Sequence, residues 1–186
     1  MPVHALDFIG TFNATDKALF EKEVKTRHVR KGDFLLREGM IASSLFFNIT
    51  GAAFEYNASP SGDENITGLY MTNEWFFNPS SLALQTPSHS FIAAYSDSIV
   101  LELSIQSIHT LIYKSAAFFQ FNSLIAQPTL GAYFFDNTLT PFQKYAYILE
   151  HRPALLQVFP LKMIAAYLKI TPETLSRVRE KLARAN

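Results

Sequence analysis

The hydrophobic period of this chain changes once, at Ser104, and that change constrains the fold more than any other feature. Ahead of it lie short aromatic and β-branched runs: Phe34–Leu36, Leu45–Ile49, Ala52–Tyr56, Asn65–Met71, Phe91–Tyr95 and Ile99–Leu103. Turn signals separate them, among them Lys31-Gly32-Asp33, Glu38-Gly39, Thr50-Gly51 and the stretch Ser59–Asp63. Short strands at spacings of roughly 8–12 residues predict a sandwich or barrel. From Ser104, a candidate N-cap, Ile105, Ile108 and Ile112 recur at helical spacing. The first thirty residues also read as helical, with Ala18, Leu19 and Val24 turned inward. Strands grouped ahead of helices give an α+β class rather than an alternating α/β one.

Two helical sections follow. From Ser115 to Phe135 the chain is almost uncharged and rich in Phe118, Phe119, Phe121, Leu124, Ile125, Tyr133, Phe134 and Phe135. A helix apolar on more than one face needs burial on more than one side. One side can pack on the barrel and the other against a second copy of the chain. Pro128 should kink or interrupt this helix. Thr140-Pro141-Phe142-Gln143 then sets Thr at the N-cap, Pro at N1 and Gln at N3. That capping box predicts a helix from about Pro141 to Glu150, ended by His151-Arg152-Pro153.

The last stretch has a more specific pattern. Pro160–Leu168 reads as a short helix with Ile164 and Leu168 inward, followed by a turn at Lys169-Ile170. Thr171 caps a second helix with Pro172 at N1 and an inward stripe of Leu175, Val178 and Leu182. Ala165 is the small residue that two short helices need where they cross. The spacing predicts a helix-turn-helix. Its outward face carries Glu173, Thr174, Ser176, Arg177 and Lys181, residue types that reach base edges in a major groove. Lys162, Thr171, Arg179, Lys181 and Arg184 are the candidates for phosphate contacts. The rival reading of the same residues is a plain helical hairpin whose basic face is solvated.

The net charge of zero conceals an asymmetry. Seven of the sixteen Lys and Arg residues precede Gly39, and none occurs from Gly39 through Tyr113, where six acidic residues fall. From Lys162 onward six basic residues stand against two acidic ones, so the end of the chain is the part suited to a polyanion.

Composition excludes several classes. The absence of cysteine removes disulfides, thiolate metal sites and a cysteine nucleophile together. The five histidines are scattered without ligand spacing, and no phosphate loop, zincin helix or nucleophile elbow occurs. An enzyme, a metal and a cofactor are therefore not expected. The N-terminus does not read as a secretion signal, and no apolar run approaches the roughly 18 residues of a membrane span. The expectation is a soluble cytoplasmic protein with no membrane partner.

In assembled order these parts resemble the Crp/Fnr regulators, relatives of the cyclic-AMP receptor protein. The most specific pieces are Arg30–Gly39, Leu45–Gly51 and Ile164–Arg177. The cast is similar to members from Bacteroidetes-type bacteria. The resemblance implies a double-stranded β-helix of the cyclic-nucleotide-binding type over 1–113, a dimerisation helix over 114–136, and a helix-turn-helix over 137–186. It also implies a homodimer on double-stranded DNA with a small-molecule effector at the roll, and Glu173 and Arg177 match base-reading positions.

The chain departs from that family in three places. Cyclic-nucleotide binders hold the phosphate with a Gly-Glu pair and an Arg; here no Gly-Glu follows Phe77, and Ser88 or His89 stands where the Arg would be. A buried cyclic phosphate without its cation forgoes about 1.5–3 kcal/mol and keeps its desolvation cost. The expectation is an uncharged or apolar ligand among Trp75, Phe76 and Phe77, or none, with those aromatics serving as core. Lys169 occupies the turn position where Gly is usual, and must accept a left-handed conformation or shift the turn. With Asn186 four residues after Leu182, the β-hairpin wing usual in that family is not expected. The alternative function is accordingly a degenerate interaction module of the same fold that does not bind DNA.

Overall fold

The computed structural model describes residues 2–58, 64–126 and 139–185. Two compact units make it up: Met1–Phe54 with Tyr70–Gln127, and Glu55–Leu69 with Pro128–Asn186. These boundaries differ from the three-part division the sequence suggests. Residues 55–69 group with the C-terminal helices, and the residues just after Lys114 group with the strands.

The first unit opens with a 3-10 turn (Pro2–Phe8) and helix α1 (Ala14–Glu23). Asn13 and Asp16 cap α1 reciprocally, each side chain accepting from the other's backbone N–H at 2.9 and 3.2 Å. The expected helix over the first thirty residues is corrected beyond this point. Val24 is extended, and Lys25–Val29 forms strand β1, antiparallel to β8 with Lys25 opposite Glu102. The pairing supplies the backbone bonds that a helix would otherwise provide, and tertiary context overrides a weak local preference.

The remaining strands are β2 (Phe34–Leu36), β3 (Ser44–Thr50), β4 (Ala53–Ala58), β5 (Glu64–Tyr70), β6 (Trp75–Phe76), β7 (Phe91–Ala94) and β8 (Ser98–Ser104). They form two four-stranded sheets of order β1-β8-β3-β6 and β2-β7-β4-β5. The β3–β8 register sets Leu45 opposite Leu103 and Phe47 opposite Leu101, all four essentially inaccessible to solvent. Only glycine fits at position 51: its φ is +85°, and a Cβ there would lie 2.0 Å from Ser98 Oγ.

Helices α2 (Pro79–Leu84) and α3 (Ile105–Lys114) complete the roll's surroundings. Ser104 caps α3 as expected, accepting from Ser107 N at 3.0 Å. The long apolar helix expected from Ser115 is corrected over its described part. Ser115 caps a 3-10 turn, Ala116–Phe121, before the short helix α4 (Asn122–Ala126). The reason is packing within the unit: Phe118 lies 5.3 Å from Phe12, and Phe121 lies 5.7 Å from Trp75, ring centroid to centroid. These aromatics complete their own core, while Phe119 and Tyr113 remain 56% and 93% exposed. Pro128, Tyr133, Phe134 and Phe135 lie outside the described residues.

The helices of the second unit are α5 (Pro141–His151), α6 (Leu155–Val158), α7 (Leu161–Tyr167) and α8 (Pro172–Ala185). Thr140 and Gln143 form the expected capping box on α5. Among the described residues, Ile66, Leu69, Tyr145, Ile148, Leu155, Phe159, Ile164, Ala165, Tyr167, Leu168 and Leu175 are the buried apolar residues of this unit. Ala165, at the predicted crossing, is wholly inaccessible. No helix among the described residues is long and apolar enough to cross a membrane.

Candidate nucleic-acid interface

The turn between α7 and α8 is built from backbone bonds around one left-handed residue. Ile170 N donates to Ala165 O at 3.0 Å and Lys169 N to Ala166 O at 3.1 Å, the pair of bonds that defines a Schellman ending. The residue at its left-handed position is Lys169, with φ +57°. A side chain there costs about 1–2 kcal/mol relative to glycine, so the turn keeps its place and carries the strain.

Thr171 then starts α8. Its Oγ1 accepts from Thr174 N at 3.2 Å and lies 3.1 Å from Thr174 Oγ1. The hydroxyl named as a phosphate contact is thus engaged as an N-cap. Leu175 is buried and Val178 and Leu182 are half-buried, which turns the opposite face outward. Glu173, Ser176, Arg177, Arg179, Lys181 and Arg184 are exposed and Thr174 half-buried. At 100° per residue, Glu173, Arg177, Lys181 and Arg184 share one stripe, Ser176 flanks it, and Arg179 lies at the edge of the exposed arc. Glu180 falls on that stripe too and was not singled out from the sequence. Lys162, on α7, is exposed as well. The Glu173 carboxyl is held below its ordinary pKa by backbone N–H donation, then by the Thr171 hydroxyl, with Arg177 one turn on adding to the effect.

Lys169 and Arg152 bond to β5, unlike the exposed cations of this unit. Lys169 Nζ donates to Asn65 Oδ1 at 2.7 Å and to the Ile66 carbonyl, both on β5. Arg152 Nη2 donates to the Leu69 carbonyl at 2.9 Å and Nη1 to the Tyr167 hydroxyl at 3.3 Å. Partial burial first, and then the neighbouring Lys144 charge, push the Lys169 ammonium down to about 8. Sequence reading marked Lys169 as an anomaly and gave no sign of its partners.

The residues expected to line an effector pocket in the first unit are occupied elsewhere. Phe76 and Phe77 are buried, and Phe76 stacks on Tyr70 and Phe46 at 4.8 and 5.7 Å. Trp75 packs on Phe47 at 5.3 Å. Ser88 is buried and donates to the Ser90 carbonyl at 2.9 Å, whereas His89 is exposed. Asn78 caps α2 through Ser81 N at 2.8 Å. A cavity of about 60 Å³ does open nearby, lined by Leu36, Met40, Ser44, Asn78, Ile92 and Glu102 among others. None of the five expected pocket residues lines it. Its Glu102 carboxylate accepts from Arg27 at 3.0 Å and from Ser44 Oγ at 2.9 Å. Such a volume holds a few water molecules. Among the described residues, no three His, Asp or Glu side chains come together to hold a metal ion.

Comparison with known proteins agrees with the strand architecture. Residues 26–115 match the family model of the cyclic nucleotide-binding domain. No curated protein sequence matches the chain. Among solved structures, FixK2 from Bradyrhizobium japonicum has a TM-score of 0.70 at 17% identity, over 87% of this chain and 85% of its own. The catabolite activator protein of Thermus thermophilus has a TM-score of 0.59 at 20% identity, covering 100% and 88%. The c-di-GMP-responsive global regulator CLP of Xanthomonas campestris has a TM-score of 0.63 at 14% identity, covering 93% of each. At these identities the likeness is one of fold.

Proposed function

We propose that this chain is a DNA-binding transcription regulator of the Crp/Fnr type, acting as a cytoplasmic homodimer and responding to an effector other than cyclic AMP. The observation that carries the reading is the stripe of Glu173, Arg177, Lys181 and Arg184 on a capped helix whose other face is buried. In this reading α7 and α8 are the two helices of a helix-turn-helix, and α8 enters the major groove. Glu173, Thr174, Ser176 and Arg177 meet base edges. Lys162, Arg179, Lys181 and Arg184 meet phosphates, and Thr171 orders the end of the helix nearest them. The similarity in fold to three regulators supports the same assignment.

Exposed Tyr113 and Phe119 supply apolar surface for pairing two copies, which would place two recognition helices on one face of the duplex. The segment that holds a cyclic phosphate in binders of that ligand has no Lys or Arg here, and its Asn78 and Ser88 polar atoms bond within the chain. The role requires no catalytic chemistry.

The test is fluorescence-anisotropy binding to random and selected duplexes at two salt concentrations, with Arg177→Ala beside wild type. The reading expects salt-sensitive binding, enrichment of a near-palindromic sequence, and a loss of about 1–3 kcal/mol at one base pair for Arg177→Ala. Absence of binding at low salt would overturn it.

A further inference from the structure

Three cations of the second unit, Lys144, Arg152 and Lys169, do not face outward with the others, and two of them bond to β5. Lys169 comes from the turn ahead of α8, and Arg152 from the end of α5. Both donate to β5, and their backbone acceptors, the carbonyls of Ile66 and Leu69, lie three positions apart on that strand. Ile66 and Leu69 are themselves buried, so the strand is held by side-chain packing as well as by these bonds. Arg152 also reaches Tyr167, the last residue of α7, so one guanidinium joins strand, first helix and the end of α5. The left-handed backbone of Lys169 would be satisfied by glycine at no cost, yet the position carries a side chain whose ammonium donates twice to β5.

We propose that Lys169 and Arg152 are positioning residues that clamp the helix pair α7–α8 to the β4–β5 hairpin, so that a displacement of the hairpin re-aims α8. The consequence for DNA rests on the function proposed above; the clamp itself is measurable without DNA. It gives an effector that touches the hairpin a mechanical route to the recognition helix, through two side chains and one strand. The coupling is a shift between clamped and released populations rather than a graded bend.

The chain contains no cysteine, so Ala58→Cys and Ala183→Cys place two spin labels without background, one at the end of β4 and one near the end of α8. With labelled chains diluted into an excess of unlabelled protein, so that only distances within one chain are read, pulsed electron resonance should give one narrow distance distribution for the otherwise unaltered protein. Lys169→Gly removes the amine while suiting the left-handed backbone, so it separates loss of the clamp from misfolding. It should broaden the distribution, and addition of Arg152→Met should broaden it further, while Asn65→Asp should leave it narrow. An unchanged distribution in the double variant would overturn the proposal. On DNA, Lys169→Gly should lower affinity about three- to tenfold, through the smaller competent fraction. The dependence of affinity on salt should stay the same, because no phosphate contact is lost. A slope shallower by about 0.9 would assign Lys169 to a phosphate instead and would also overturn the clamp. Broadened distances with no DNA binding by any variant would keep the clamp and reject the DNA-reading function.

Discussion

The indole Nε1 of Trp75 donates to the carbonyl of Ala5 at 2.9 Å, tying strand β6 to the N-terminal 3-10 turn. The same ring meets Phe20 and Phe121 edge-on at 6.5 and 5.7 Å. Trp75 is therefore partly buried, packed against the core, with one polar bond to satisfy. Trp75→Phe, which keeps a ring and loses the donor, should destabilise the protein by about 1 kcal/mol. Trp75→Ala should cost about 3–5 kcal/mol. Urea unfolding followed by circular dichroism reads both, since each variant removes the only tryptophan. An alanine variant as stable as wild type would show that the indole lines a ligand space rather than the core.

Cyclic AMP should not stabilise the protein. A ligand present at 100 times its Kd raises unfolding free energy by about 2.7 kcal/mol, a plain shift in Tm. No cation lies between Gly39 and Tyr113 to meet the phosphate. Asn78 accepts from Ser81 N, and Ser88 Oγ accepts from Ser90 N while donating to Ser90 O. The expected result at millimolar nucleotide is an unchanged melting curve; a clear upward shift would contradict this account of the segment.

Stability should rise with pH above neutrality through Lys169. Its folded-state pKa is about 8, below the ordinary 10.5, because burial and then Lys144 disfavour the ammonium. Between those two values the unfolded chain holds more protons than the folded one, so raising pH favours folding. Below about 8 the ammonium is charged in both states, and the penalty is constant. The neutral amine still donates, so the bonds to Asn65 and Ile66 survive the titration. Denaturant unfolding of the C-terminal unit at pH 7, 8 and 9 should show the rise in wild type and lose it in Lys169→Gly. An equal rise in both would assign the effect to other groups.

Local chemistry was legible in the sequence where a residue acts on its immediate neighbours. Ser104, Thr140 and Thr171 each cap the helix expected of them, because an N-cap bond spans three residues. The strands from Phe34 to Leu103 followed from alternation and turn residues. What depended on distant partners was not legible. Lys25–Val29 became a strand because β8 pairs with it, and Ala116–Phe121 became a 3-10 turn because Phe12, Phe20 and Trp75 receive its rings. The stripe on α8 could be read from spacing alone. The grip of Lys169 on Asn65 joins residues 104 positions apart, and Glu102 reads as an ordinary strand residue until Arg27 and Ser44 are seen against it.

Thr171 offers a means of separating a cap from a phosphate contact. Its Oγ1 accepts from Thr174 N at 3.2 Å, which satisfies one of the N–H groups left over at the start of α8. Thr171→Ala should cost about 1 kcal/mol of stability, and Thr171→Asp should cost almost nothing, since aspartate caps as well and its charge suits a helix N-terminus. Thermal unfolding of the two variants reads this directly. The aspartate would also set a negative charge at the end of α8 that the proposed function brings to the phosphates. A variant as stable as wild type and weaker on DNA is the expected combination. An alanine variant with undiminished stability would mean that Pro172 and the packing of Leu175 hold the helix start without the cap.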